Sequence, residues 1–366
     1  MLLVVVIVVL ANLGIAQENN YVFDEDIRLP ATSVKDQGRT GTCWSHATLS
    51  FLESELIRNG KGQYDLSEMY VVRHSYKLRA IEYVRYHGHL NFGPGAEAWD
   101  VLNVIKIFGI EPENVYNGIR TEEAFHNHAE MDAALKGFMN GILKNKRGTL
   151  SDVWPDAFDG IMDAYLGEIP ENFAYAGSRY TPKKFRNMLD INTDNYQAVT
   201  SFTHKPFYTE YVFESPDNWS NGLIYNVPLK DFVATIDRSL EQGYTVAWAS
   251  DVSDPGFKHD KGLAIVPHIG WDEMKDEQKR AAFYAPVKQA QISPERRQRE
   301  YDNYATTDDH LMHITGRAYD QEGTKYYIVK NSWGTNNPYK GYLYVSEAYV
   351  RLKTMSILVH KNALNR

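Results

Sequence analysis

The chain has 366 residues, 43% apolar and 23% charged, which is long enough for a large core shared by two lobes. Its 47 acidic and 39 basic side chains leave a net charge of −8, which excludes a dedicated nucleic-acid binder because phosphate contacts need basic patches. The one dense basic run, Arg296-Arg297-Gln298-Arg299, is followed by Glu300 and Asp302 and reads as a solvated loop or helix end.

Met1 to Leu10 is wholly apolar and leads into Gly14-Ile15-Ala16, the pattern of a secretory signal peptide cut before Gln17. The mature chain is then 17–366, with export to a bacterial periplasm or the medium. No Lys or Arg precedes the run, so a retained membrane anchor stays open as the minor alternative. The run falls short of the ~20 residues of a comfortable span. Residues 17–36 lack periodicity and read as an extended lead-in, and 37–42 as a Gly-rich turn. From Cys43 the spacing of Trp44, Ala47, Phe51, Leu52 and Leu56 predicts a helix ended by Asn59-Gly60. Ser67 caps a second helix to about Arg85. After the turn Asn91-Phe92-Gly93-Pro94-Gly95, residues 96–108 predict a third, stopped by Gly109.

Residues 121–145 predict a helix broken near Gly137 or Gly141, and Thr181-Pro182 starts a short one. Strands are expected at 196–202, 210–214, 244–249, 262–266, 310–319, 325–331, 341–346 and 354–360, with a helix at 229–242. Helices come first and strands last. The expected fold is α+β, with a helical lobe over 43–195 and a sheet lobe over 196–366 plus the lead-in.

Cys43 is the only cysteine, so it forms no internal disulfide. It sits in the first turn of a helix, where unpaired N–H groups and peptide dipoles favour a thiolate. A nucleophile also needs a base, an orienting group and an oxyanion donor. His310 begins an apparently buried strand. By alternation Met312 and Ile314 share its face and His313 takes the other. Asn331, at the end of the next strand, is placed to orient His310, and Trp333 to shield that bond from water. Gln37 offers a side-chain amide six residues before Cys43. Each residue alone also fits a structural role: a buried helix cysteine, a satisfied core histidine, a turn cap, a loop bond.

Together these blocks resemble the papain-like cysteine peptidases. Gln37-Gly38 and Gly41-Thr42-Cys43-Trp44-Ser45 resemble the oxyanion glutamine and nucleophile motif. Asp309-His310 with Gly316 resembles the histidine strand, and Lys330-Asn331-Ser332-Trp333-Gly334 the asparagine motif. The gap from Cys43 to His310 exceeds the papain spacing of ~130–150 residues by on the order of 120. That excess, with Trp248 to Ser253 and Thr306 to His310, is similar to the bleomycin hydrolase and aminopeptidase C subfamily. The resemblance implies a two-lobed papain-like fold with large insertions and a peptide substrate cut through an acyl-enzyme. Internal cleavage is the alternative to aminopeptidase action, and a silent peptide-binding scaffold is a remote one.

The resemblance also implies a homo-oligomer, a hexamer in that subfamily; no metal or cofactor is expected, because no HExxH is present and the clusters His74, His87, His89 and His126, His128 add no cysteine. Bleomycin hydrolases anchor the substrate's amino group with a C-terminal arm. Here Arg366 follows the last predicted strand too soon for one, which weakens the exopeptidase expectation. Gly93 and Gly95 resemble the rim of the non-primed cleft, where an extended peptide lies close to backbone, although an ordinary turn explains them equally. Asp251 is a candidate acid for a free amino group, and Trp333 a cleft residue. His46 departs from the usual aromatic at its position and either packs against a strand or perturbs the thiol.

Overall fold

A computed structural model describes residues 21–120, 125–145 and 148–364. The signal-peptide expectation for residues 1–16 lies outside the described residues, as do the last two positions. Strand β1 (Phe23–Arg28) forms the lead-in. Helix α1 (Cys43–Arg58) starts at Cys43, and every residue from Cys43 to Leu56 is buried, so it runs through the interior instead of lying on a surface. In α2 (Glu68–Arg85) the Ser67 hydroxyl accepts the Tyr70 N–H at 3.0 Å. Helix α3 (Ala98–Phe108) stops at Gly109.

The break expected near Gly137 or Gly141 is absent, and α4 (Ala129–Leu143) is continuous. Both glycines face open space while Met131, Leu135 and Met139 are buried on the other side. Helix α5 (Trp154–Leu166), not predicted, is held by Phe158, Met162 and Leu166 at i, i+4 spacing. A hairpin, β2 (Phe173–Tyr175) and β3 (Ser178–Tyr180), precedes α6 (Pro182–Leu189), which Thr181 caps through the Lys184 N–H.

From there the chain is rich in sheet. It runs through β4 (Tyr196–Thr200), β5 (Thr209–Val212), β6 (Leu223–Asn226), α7 (Leu229–Glu241), β7 (Val246–Ser250), β8 (Phe257–Lys258) and β9 (Leu263–Ala264). Then come α8 (Asp276–Ala281), α9 (Pro294–Asp302), β10 (His310–Asp320), β11 (Lys325–Lys330), β12 (Tyr342–Ser346), α10 (Glu347–Lys353) and β13 (Thr354–His360). The large mixed sheet has the order β5-β6-β4-β13-β7-β10-β11-β12-β9-β8, with β1 added to β10. The α+β, two-lobed arrangement expected from the sequence is present. Among the described residues no helix is long and apolar enough to cross a membrane.

Strand β10 is the central element. Its first half pairs with β7, from His310↔Ser250 to Ile314↔Val246, and its second half with β1. On its other side β11 pairs antiparallel, with His313 opposite Lys330. The period-2 alternation holds. Leu311 joins the core shared with α1, and Met312 and Ile314 join a second core on the opposite face. His313 faces α1, where its Nδ1 lies 2.9 Å from the Ser50 hydroxyl.

The basic run at 296–299 is only partly the solvated feature expected. Arg297 is 1% exposed. Its guanidinium donates to the carbonyls of Ser201, Arg351 and Thr354 and lies over the Phe202 ring at 4.6 Å. Arginine suits this place because its fork of donors reaches several carbonyls at once. Replacing Arg297 with Met should destabilise the protein by roughly 3 kcal/mol, since buried carbonyls lose their donors. Urea unfolding checks this, and a loss under about 1 kcal/mol would contradict the structural role.

Candidate active site

Cys43 opens α1, so its backbone N–H has no partner within the helix. The helix is set beneath the start of β10, and the Leu311 N–H points at the Cys43 sulfur at 3.5 Å. The Trp44 indole donates to the Pro94 carbonyl at 3.0 Å, which ties the helix start to the 91–95 turn. Cys43, Trp44, Gly93 and Gly95 all line one open cleft of about 950 Å³, together with Gln37, Asp217, Asp308, His310 and Trp333.

His310 is buried, and its Nε2 lies 2.7 Å from Asn331 Oδ1. The Ser332 backbone N–H donates to the same oxygen at 2.8 Å. A backbone N–H only donates, so that atom is the amide oxygen and His310 Nε2 carries the proton. Nδ1 is left as the ring nitrogen able to take a proton from the thiol. The Asn331 amide nitrogen turns to His259 Nδ1 at 3.2 Å. Trp333 lies against the His310 ring with centroids 4.5 Å apart.

Gln37 is fixed just as firmly. Its Nε2 donates to the Thr40 carbonyl at 2.8 Å and its Oε1 accepts from the Ser332 hydroxyl at 2.7 Å. One of the two amide hydrogens is thereby used, and the other remains for the cleft. The backbone repeats the link, since the Gln37 N–H donates to the Ser332 carbonyl at 2.9 Å and Asp36 bridges Trp333.

Burial pushes the Cys43 thiol up to about 12, with Asp308 and Asp217 adding to the rise and the Leu311 and Trp44 N–H groups opposing it. Burial pulls the His310 imidazole down to about 4, against the Asn331 bond that favours its charged form. Either charge alone is therefore disfavoured here. A proton passed from thiol to imidazole within the same cleft would leave no net charge there.

One expectation changes. Asp251 does not line the cleft. It is 1% exposed, its Oδ1 accepts from Ser253 and Asp254, and its other oxygen faces Lys353 at 3.8 Å. The end of β7 turns its carboxylate inward, so it staples a loop. His46 is buried beside β10, the packing place that was one of its two expected readings. Its Nδ1 is 3.0 Å from the Thr42 carbonyl, and its ring borders a separate internal cavity with Lys35, Glu53 and Glu68. Gly93 has room for a side chain, whereas a Cβ on Gly95 would fall 1.9 Å from the Asp217 carboxylate.

Sequence reasoning missed three contributors. Ser332 was read only as part of its motif, although it holds both Gln37 and Asn331. Asp308 lies in the quoted 306–310 stretch. Asp217 carries no local signal, because a loop distant in sequence brings it to the cleft. Among the described residues, no group of three or more His, Cys, Asp or Glu side chains has the arrangement of a metal site.

Fold, buried thiol and paired histidine and amide together define a papain-like cysteine peptidase. A model of the Peptidase C1-like family matches residues 181–366, and one of the papain family cysteine proteases matches residues 22–117. The chain belongs to the Peptidase C1-like family and is related to the aminopeptidase C and bleomycin hydrolase subfamily. Aminopeptidase G of Lactobacillus delbrueckii subsp. lactis is 21% identical, with 92% of this chain and 83% of that protein covered. Aminopeptidase C of Streptococcus thermophilus is 23% identical, with 95% and 84% covered. The crystal structure of PepW from Lactobacillus rhamnosis HN001 shares the fold, with TM-score 0.72, 18% identity, and 93% of this chain and 83% of that one covered.

Removing the imidazole isolates the thiol. In His310→Ala the thiol should titrate far above its usual range, so iodoacetamide alkylation at pH 7 should slow at least ~10-fold and keep rising with pH. Mass-spectrometric labelling rates check this, and alkylation as fast as in the unchanged protein would contradict the pairing.

Proposed function

We propose that the protein hydrolyses peptide bonds through a thioester on Cys43, with aminopeptidase-like action. The observation that carries the reading is one cleft lined by both Cys43 and His310, with the Leu311 N–H on the Cys43 sulfur and His310 bonded to Asn331, whose oxygen also accepts from Ser332. In this mechanism the thiol passes its proton to His310 and attacks the scissile carbonyl. The second Gln37 hydrogen and the Cys43 N–H receive the developing oxyanion. His310 protonates the leaving amine, and the acyl group stays on sulfur. His310 then takes a proton from water, which cleaves the thioester. Asn331 holds the ring in the tautomer that leaves Nδ1 free, and Trp333 keeps water from that bond.

Gly93 and Gly95 form the rim along which an extended peptide lies. The exopeptidase part draws on the relatives called aminopeptidases. The reading also takes 17–366 as one exported catalytic domain able to self-associate, which rests on the sequence pattern and the family resemblance.

Cys43→Ala should give a folded protein that cleaves no peptide, and turnover by a clean preparation would contradict the nucleophile. Gln37→Ala should cost roughly 2.7–4 kcal/mol of transition-state stabilisation, and a rate change under about threefold would remove Gln37 from the oxyanion site. Matched peptides with free and acetylated N-termini separate the two modes: single residues released only from free termini mean aminopeptidase action, and internal cuts in blocked peptides mean endopeptidase action.

A further inference from the structure

The Asn331 amide has three partners, and one of them is a histidine that the hydrolytic steps do not use. Its Oδ1 meets His310 Nε2 at 2.7 Å and accepts the Ser332 N–H at 2.8 Å. Its amide nitrogen lies 3.2 Å from His259 Nδ1. The Ser332 N–H only donates, so the group facing His259 is the NH2, and His259 Nδ1 has to accept from it. Neutral His259 therefore carries its proton on Nε2, as His310 does.

The fold fixes this ring from several sides. His259 opens a single helical turn (His259–Lys261) between β8 and β9, which pair with each other, and β9 also pairs with β12. Its carbonyl accepts the Gly262 N–H at 2.9 Å and the Asn337 Nδ2 at 3.3 Å. The half-buried ring stands edge-on to Trp333, with centroids 5.1 Å apart and planes at 72°. Trp333 thus packs against both histidines that hold the Asn331 amide. Few charged or titratable groups face the ring. Its own turn contributes Asp260, which also meets Lys261 at 3.4 Å. Lys258, the residue before it, is exposed. Beyond the amide stands His310, and a charge on His259 disfavours one there. Asn331, Trp333 and Asn337, from the segment after β11, carry none. Burial pulls His259 below the ordinary imidazole range, and Asp260 opposes that.

We propose that His259 is a positioning residue and an acid-sensitive switch for the hydrolytic site: its unprotonated Nδ1 holds the Asn331 amide in the orientation that His310 needs, and a proton on Nδ1 releases it. The role deepens the peptidase reading and rests on it. A protonated Nδ1 is a donor facing a donor, so the amide nitrogen loses its acceptor. The amide oxygen is drawn to the charged ring and leaves His310 Nε2, and the NH2 takes its place. Facing an NH2, the His310 ring favours the tautomer with its proton on Nδ1. That nitrogen is the one that must be free to receive the Cys43 proton. The hold is present at neutral pH and is lost as pH falls through the His259 ionisation, which lies below the ordinary imidazole range.

Two substitutions separate holding from packing. His259→Asn keeps an acceptor at the place of Nδ1 and does not titrate, whereas His259→Phe keeps a ring against Trp333 and removes the acceptor. His259→Phe should lower kcat ~10-fold or more with KM changed less than about twofold. His259→Asn should keep kcat within about threefold, and its fall in kcat/KM at acid pH should begin at least ~0.5 pH unit lower than in the unchanged protein. The contact is also read without turnover, from the tautomers reported by 1H–15N spectra of histidine-labelled Cys43→Ala protein at neutral pH. His259 and His310 should both carry their proton on Nε2, and adding His259→Phe should bring in the Nδ1–H form of His310. A neutral His259 protonated on Nδ1 overturns the proposal. So does His259→Phe with unchanged kcat, His259→Asn as impaired as His259→Phe, or an acid limb that His259→Asn leaves in place. The peptidase reading fails separately, if the unchanged protein hydrolyses no peptide, and the tautomers then still decide the His259–Asn331 contact.

Discussion

The structure depends on a buried helix whose first residue must meet the first residues of a central strand. Helix α1 is enclosed along nearly its whole length, so its polar groups each need an internal partner. Ser45 donates to the Glu68 carbonyl, Ser50 meets His313 and Lys330, and Glu53 accepts from Thr32 and the Leu66 N–H. These contacts lock the helix in register against β10 and the residues beside it. That register brings the Leu311 N–H to Cys43 and leaves His310 on the neighbouring face, toward Asn331. A slip of one residue in β10 would turn His310 away and bring Leu311 into its place.

The second organising group is Ser332. Its hydroxyl and carbonyl hold Gln37, and its N–H holds the Asn331 oxygen. Gln37 belongs to the lead into α1, and Asn331 to the end of β11. One residue thus ties the Gln37 amide before α1 to the Asn331 amide at the end of β11, and both amides are held in fixed orientations. Preorganisation of this kind keeps reorganisation out of the chemical step.

The helices at 43, 68 and 98 were legible because each carries its own punctuation: the Gly-rich turn at 37–42 and Asn59-Gly60 around the first, Ser67 before the second, Gly109 after the third. The β10–β11 pair was legible through its Tyr, Ile and Val content, and with it came the approach of His310 and Asn331. Helix α5 was missed although Phe158, Met162 and Leu166 repeat at four-residue spacing, because Asp156, Asp159, Gly160 and Asp163 mask its apolar stripe. Arg297 was misread because a charge run carries no sign of which member turns inward. Asp251 was misplaced for a similar reason: strand alternation gives a face, but the turn after β7 decides the direction. The acids at the cleft end come from three separate segments, and only tertiary structure brings Glu97, Asp217 and Asp308 together.

Electrostatics joins the halves of the site. Burial disfavours both the lone thiolate and the lone imidazolium, whereas a proton passed between two groups of one cleft adds no net charge. The most direct test is whether the sulfur carries the acyl group during turnover. An activated peptide ester, mixed with the protein, quenched in acid within the first turnover and analysed by intact mass and peptide mapping, reports this. The expected result is a mass increase equal to the acyl group, located on the peptide containing Cys43 and lost when Cys43 is replaced. Turnover with no acyl adduct under any quench time, or with the adduct on another residue, would contradict nucleophilic catalysis by Cys43.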